Sequence, residues 1–108
     1  MTGQPYTCGS WLVRPGCEAE FIARWTEFTT WSRENAPGAL MFVLLRETAA
    51  SDRFLSFGAW DSEASITAWK ARPEFGARFT ACRELCADFQ GLDYKLAASV
   101  NLPEQVAP

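Results

Sequence analysis

The chain has 108 residues, 48% of them apolar, and a net charge of −3 with no histidine. That length suits one small domain, and the acidic balance, without a basic run, argues against a nucleic-acid partner. No stretch is apolar for long enough to span a membrane, and the N-terminus lacks the charged-then-apolar pattern of a secretion signal. A cytoplasmic location is therefore expected, with Cys8, Cys17, Cys82 and Cys86 as free thiols. A zinc site would need all four thiolates to converge, so no metal is expected.

In chain order, Met1 to Thr7 is polar and reads as a loose tail. Cys8 to Arg14 reads as a first strand, with Gly9, Trp11 and Val13 on one face and Ser10 and Leu12 on the other. Pro15–Gly16 turns the chain. Cys17 to about Glu34 reads as an amphipathic helix whose stripe is Phe21, Trp25, Phe28 and Ser32, flanked by Ile22 and Trp31. Asn35 to Gly38 ends it. Ala39 to Glu47 is a second strand, apolar on both faces, and Thr48 to Arg53 a polar hairpin loop.

Phe54 to Trp60 is a third strand. Phe54, Ser56, Gly58 and Trp60 point one way, and Leu55, Phe57 and Ala59 the other. Asp61 is placed to cap the next helix, with Glu63 in its first turn beside the positive helix end. Ile66, Trp69 and the stem of Lys70 share a face of that helix until Pro73 interrupts it. Phe75, Phe79, Cys82 and Cys86 then recur at helical spacing. Leu85 to Asp93 suits either helix or loop, and Tyr94 to Val100 reads as the last strand. Leu102 to Pro108 is a tail.

The order is strand, helix, strand, strand, broken helix, strand. This is the βαββαβ pattern of an α+β, ferredoxin-like fold, with a four-stranded antiparallel sheet and helices on one face. The other face would carry Leu12, Met41, Val43, Leu45, Leu55 and Phe57 with no helix to cover them. Burying each such side chain is worth roughly 1.5–3 kcal/mol. The expected partner is a second copy, forming a homodimer through sheet-to-sheet packing.

Several stretches in this order resemble the antibiotic biosynthesis monooxygenase (ABM) domains of the dimeric α/β-barrel superfamily. They are Val13–Arg14–Pro15–Gly16 with Glu18, Glu20 and Phe21; Ala36–Pro37–Gly38; Trp60–Asp61–Ser62–Glu63 with Ala64; and Ala68–Trp69 followed by Pro73–Glu74–Phe75. The resemblance runs from Trp11 to Val100 and implies two chemistries. One branch degrades haem with an Asn on the first strand, a Trp and a His. Those positions fall on Gly9, Trp69 and Phe79, and a phenyl ring cannot ligate iron. The other branch oxidises phenolic anthrones to quinones with molecular oxygen and no cofactor. Its Trp is matched by Trp60, while Ser56 stands at its Asn position and Ile66 at its Tyr position.

The resemblance implies a cofactor-independent monooxygenase for a small planar aromatic molecule in an apolar pocket between sheet and helices. Ser56, Trp60 and Trp69 are the expected catalytic group, and Gly9, Trp11, Phe28, Trp31, Phe42, Phe75 and Phe79 the expected lining. Ser56 can hydrogen-bond a phenol. Ser10 is a further donor, and Arg46, Arg78 and Arg83 are the cationic candidates. Each residue also suits a packing role: Trp69 is at helical spacing from Ile66, and Trp60 precedes a helix cap. A barrel that binds an aromatic ligand without turning it over is the alternative, and an isomerase or lyase on the same scaffold a third reading.

Overall fold

Alternating and helical apolar patterns set the elements, and the computed structural model describes residues 3–100. Among the described residues, β1 is Pro5–Val13, α1 Glu18–Asn35, β2 Ala39–Arg46 and β3 Arg53–Trp60. They are followed by α2 at Glu63–Lys70, α3 at Pro73–Arg83 and β4 at Cys86–Lys95. The sheet order is β2-β3-β1-β4 with every neighbouring pair antiparallel. This is the ferredoxin-like arrangement.

The boundaries differ from expectation at both ends of the sheet. β1 begins at Pro5, so Pro5 to Thr7 is strand and not tail. The backbone N–H of Gly3 also donates to Leu96. The expected tail from residue 101 onward lies outside the described residues. The last strand is Cys86–Lys95 instead of Tyr94 to Val100, and Cys86 therefore opens β4 and does not continue the helix of Cys82. β4 is an edge strand carrying Asp88, Gln90, Gly91 and Asp93, residues of weak strand propensity. Its pairing with β1, from Val13↔Cys86 to Pro5↔Lys95, imposes the conformation.

The turn from β3 into α2 has its own lock. Ser62, not Asp61, is the N-cap, and its hydroxyl accepts from the Ser65 backbone N–H at 3.1 Å. Asp61 instead accepts from the Ser65 hydroxyl at 2.6 Å. Gly38, at φ +94°, packs beneath this turn, where a Cβ would run into both Asp61 and Ser65. Only glycine meets both the angle and the space.

On the helix-bearing face, α1 buries Phe21, Trp25, Phe28, Thr29, Trp31 and Ser32 against the sheet and α3. Ile22, expected to flank that stripe, is exposed. Trp60, Phe21, Val13, Cys82 and Cys86 are sealed at the centre. Burial pushes the Cys82 thiol up to about 12, with Cys86 adding to the effect, so it stays protonated and unreactive.

Among the described residues the opposite face has no helix. Strand alternation puts Leu12, Met41, Val43, Leu45, Leu55 and Phe57 there, joined by Leu92 and Tyr94 from β4. Leu45 and Leu55 face each other across the strands and are each 48% exposed, with Leu92 at 59% and Tyr94 at 53%. No helix among the described residues is long and apolar enough to cross a membrane.

Candidate functional site

Between the sheet and its helices lies a cavity of ≈ 380 Å³. That volume is at the small end of the range for small-molecule sites, which run from about 300 to 1,000 Å³. Its floor is β1 and β3, through Thr7, Gly9, Trp11, Ser56 and Gly58. Trp25, Phe28 and Thr29 of α1, Trp69 of α2, and Phe75 and Phe79 of α3 form the roof. Phe42 of β2 and Phe89 of β4 close the sides.

Glycines make the floor. Opposite each other across the β1–β3 ladder stand Gly9 and Ser56. A Cβ at Gly9 would lie 2.9 Å from both the Ser56 hydroxyl and the Trp11 indole nitrogen. At Gly58 it would come within 2.7 Å of the Phe42 ring. The space that side chains would take is held by aromatic rings and left partly open.

Those rings are fixed by their partners. Trp11 lies 4.3 Å from Phe89 and 5.9 Å from Phe79, centroid to centroid. Phe28 stacks on Trp69 at 5.6 Å, and Phe75 on Phe79 at 5.7 Å. Three indole N–H groups each end on a hydroxyl. Trp11 donates to Ser56 at 2.9 Å, Trp60 to Thr7 at 3.1 Å and Trp69 to Ser32 at 2.9 Å. A buried indole donor left unpaired would cost roughly 1–3 kcal/mol, so each pairing fixes the orientation of its ring.

Ser56 and Thr7 both line the cavity, whereas Ser32 donates onward to the Phe28 carbonyl; of the two lining hydroxyls Ser56 is the buried one and Thr7 is half-buried. Ser56 accepts from Trp11 through its oxygen. Its own O–H has no acceptor among the described residues, which leaves that proton to donate to a molecule in the cavity. Thr29 also lines the cavity, but its hydroxyl donates to the Trp25 carbonyl at 2.9 Å.

Among the described lining residues, charge enters only at the rim. Lys70 and Asp93 are both exposed and line the opening, with Nζ and Oδ1 3.9 Å apart. Burial raises the Cys8 thiol above its ordinary range, and the Asp93 carboxylate adds to this. Among the described residues no group of three or more Cys, Asp and Glu side chains is placed to hold a metal ion.

Of the residues singled out from the sequence, Gly9, Trp11, Phe28, Phe42, Ser56, Trp69, Phe75 and Phe79 line the cavity. Trp60 and Trp31 are not among its lining residues. Trp60 is fully buried, its ring 4.8 Å from that of Trp69. Trp31 packs beneath the guanidinium groups of Arg72 and Arg78, at 5.7 and 5.2 Å. Ser10 is exposed, Arg46 lies over the Phe54 ring, and Arg83 donates to the Cys86 carbonyl, so none of these reaches the cavity.

Sequence reasoning missed Thr7, Trp25, Phe89 and the Lys70–Asp93 rim. Trp25 was within reach, because it sits three residues before Phe28 on the same stripe. Thr7 and Phe89 needed the true limits of β1 and β4.

Comparison with known proteins agrees with this architecture. The family model of the antibiotic biosynthesis monooxygenases matches residues 9–81, more than half of the chain. Two structures of SnoaB, a cofactor-independent oxygenase from Streptomyces nogalater, superpose with TM-scores of 0.85 and 0.83. Each is 19% identical, and the match covers 93% of this chain and 99% of that one. A Caulobacter crescentus protein, named as a candidate antibiotic biosynthesis monooxygenase, gives a TM-score of 0.76 at 19% identity, over 92% of each chain. A conserved protein from Methanosarcina mazei gives 0.77 at 14% identity, over 87% of this chain and 93% of that one. At such identities the superpositions show the fold alone. No curated protein matches the chain by sequence. The family match, together with the sheet order and the broken second helix, shows that the chain belongs to the antibiotic biosynthesis monooxygenase family.

Proposed function

We propose that the protein is a cofactor-independent monooxygenase acting on a small planar aromatic phenol, a quinol or anthrone, held between the sheet and the helices. The observation that carries this reading is the Ser56 hydroxyl. Among the described lining residues it is the buried hydroxyl whose proton has no acceptor, the half-buried Thr7 being the other free one, and it stands at the position where the anthrone-oxidising branch places an Asn. The similarity in fold to SnoaB, described as a cofactor-independent oxygenase, supports the same class. The haem-degrading alternative fits poorly. Its ligand position is Phe79, whose ring lines the cavity, and the chain has no histidine.

In this reading the substrate supplies the electrons. An anthrone loses a proton to give an electron-rich enolate, which reduces oxygen. One oxygen atom ends on the substrate carbon as the quinone carbonyl, and the other leaves as water with the two hydrogens of that carbon. The chain excludes water, stacks the ring system against Phe28, Trp69 and Phe75, and lets Ser56 donate to the substrate oxygen as negative charge gathers there. Trp11 holds the Ser56 oxygen in place. Trp60 backs Trp69 and acts through it, as a positioning residue.

Two further expectations belong to this reading. The exposed Leu45, Leu55, Leu92 and Tyr94 are covered by a second copy, sheet against sheet. The four free thiols fit a reducing, cytoplasmic compartment.

Oxygen uptake with an anthrone or quinol tests the proposal. Removing one well-placed donor costs on the order of 10²-fold in turnover, so Ser56→Ala should lose that much kcat while still binding the aromatic. Binding by the unaltered protein with no oxygen uptake would replace the enzyme by a ligand-binding barrel.

A further inference from the structure

We propose that Lys70 is a specificity-determining residue, selecting aromatic substrates that carry an anionic substituent, such as a carboxylate, on the end that remains at the cavity mouth. This rests on the cavity being the substrate site.

The interior offers rings and neutral hydroxyls, so it holds the flat part of a ligand and one of its oxygens but has no charge to select an ionised substituent. The rim is different. Lys70 follows Trp69 directly in the last turn of α2, so its aliphatic stem continues a wall of the cavity and its ammonium stands at the exit. Among the described residues the carboxylate within ion-pair reach is that of Asp93, 3.9 Å away. That is an ion-pair distance beyond hydrogen-bond reach, and among the described residues no hydrogen bond uses Nζ. Its three donors are therefore available. An ion pair this exposed contributes little to the fold, so a substrate carboxylate can take Asp93's place at small cost.

The rim also favours an anion over a cation. Of the two side chains Asp93 is the more exposed, 64% against 49% for Lys70. It is short and sits on the outer edge strand, whereas the lysine stem is long enough to follow a ligand. A bound ring system would displace water from this side of the ammonium and strengthen its attraction to an anion.

A neighbouring pair supplies the control. Lys95 and Glu63 also link β4 to α2, again at 3.9 Å, but neither lines the cavity.

Quenching of tryptophan fluorescence by an anthraquinone carboxylate and by its neutral hydroxymethyl analogue, on the full chain, tests this. The carboxylate should bind about fivefold tighter at low salt, the scale of one partly exposed ion pair, and lose that advantage at high salt. Lys70→Met should abolish the preference without weakening the neutral probe. Asp93→Asn should enlarge it, and Lys95→Met should leave it intact. Equal binding of the two probes by the unaltered protein, or a preference that survives in Lys70→Met, would overturn the assignment while leaving the aromatic site standing. If neither probe binds, the cavity reading fails and this assignment falls with it.

Discussion

The two faces of the sheet are built from similar residues and end in different states. On the helix-bearing face, Trp11, Trp60 and Trp69 each have a ring partner and a hydroxyl partner, and the space left over includes the aromatic cavity. On the other, Leu45, Leu55, Leu92 and Tyr94 are about half exposed, with no helix of the described residues over them. The first face is covered by the chain's own helices, so loss of a residue there should be felt as lost stability or a lost site. The second is apolar without being buried, so its residues should matter mainly to association. Substitutions that separate these two outcomes probe the difference, and they rank by their cost to a single subunit.

The largest cost is expected at Trp60. The residue is fully buried, lies 4.8 Å from Trp69 and 5.8 Å from Phe42, and donates to Thr7. Trp60→Ala removes all of this and leaves a hole, which typically costs roughly 3–5 kcal/mol. The urea midpoint should fall accordingly, and Trp69, having lost its backing, should no longer hold the cavity wall. A loss under about 1 kcal/mol would mean that the helix-bearing face is looser than its packing suggests.

Gly9→Asn comes next, and it acts on the cavity more than on the core. The new Cβ would press on both partners of the Trp11–Ser56 hydrogen bond and on the Phe89 ring, which lies 3.0 Å away. Overpacking of this kind costs about 1–3 kcal/mol. The chain should still fold, but Ser56 should lose its alignment, and aromatic-dependent oxygen uptake should fall at least as far as in Ser56→Ala. Full activity in Gly9→Asn would show that the floor of the cavity need not be bare.

These two sites also show how much of the structure is legible in the sequence. The turn Trp60–Asp61–Ser62–Glu63 and the break at Pro73 are local signals, and they placed β3, α2 and α3 closely. The α1 stripe was legible because helical spacing concentrates Phe21, Trp25, Phe28 and Ser32 on one side. β4 was misplaced because an edge strand takes its conformation from its neighbour, and Asp88, Gly91 and Asp93 carry no strand signal of their own. Ser56 was visible as a polar residue in an apolar strand. Its partner was not, because Trp11 lies 45 positions away and meets it only through the register Gly9↔Ser56. The Lys70–Asp93 rim was hidden for the same reason: it joins a helix end to a strand whose limits were unknown. Local chemistry set the elements, and pairing register set the site.

The smallest effect on a single subunit, and the sharpest test of the contrast between the faces, is expected at Leu55. Its side chain is 48% exposed and faces Leu45 across the β2–β3 ladder. Leu55→Asp should change the stability of an isolated subunit by no more than about 0.5 kcal/mol, as for most surface substitutions. In a dimer, two-fold symmetry would place the same carboxylate on both packed sheets, each charge losing water without gaining a partner. Association stabilises the folded state by mass action, so the melting temperature of the unaltered protein should rise with protein concentration. In Leu55→Asp that dependence should disappear and sedimentation should report half the mass, with the helix-face aromatic site still able to take a ligand. An unaltered protein that sediments as one subunit at micromolar concentration, with a melting temperature independent of concentration, would show that this face tolerates water. The difference between the faces would then be one of composition and not of assembly.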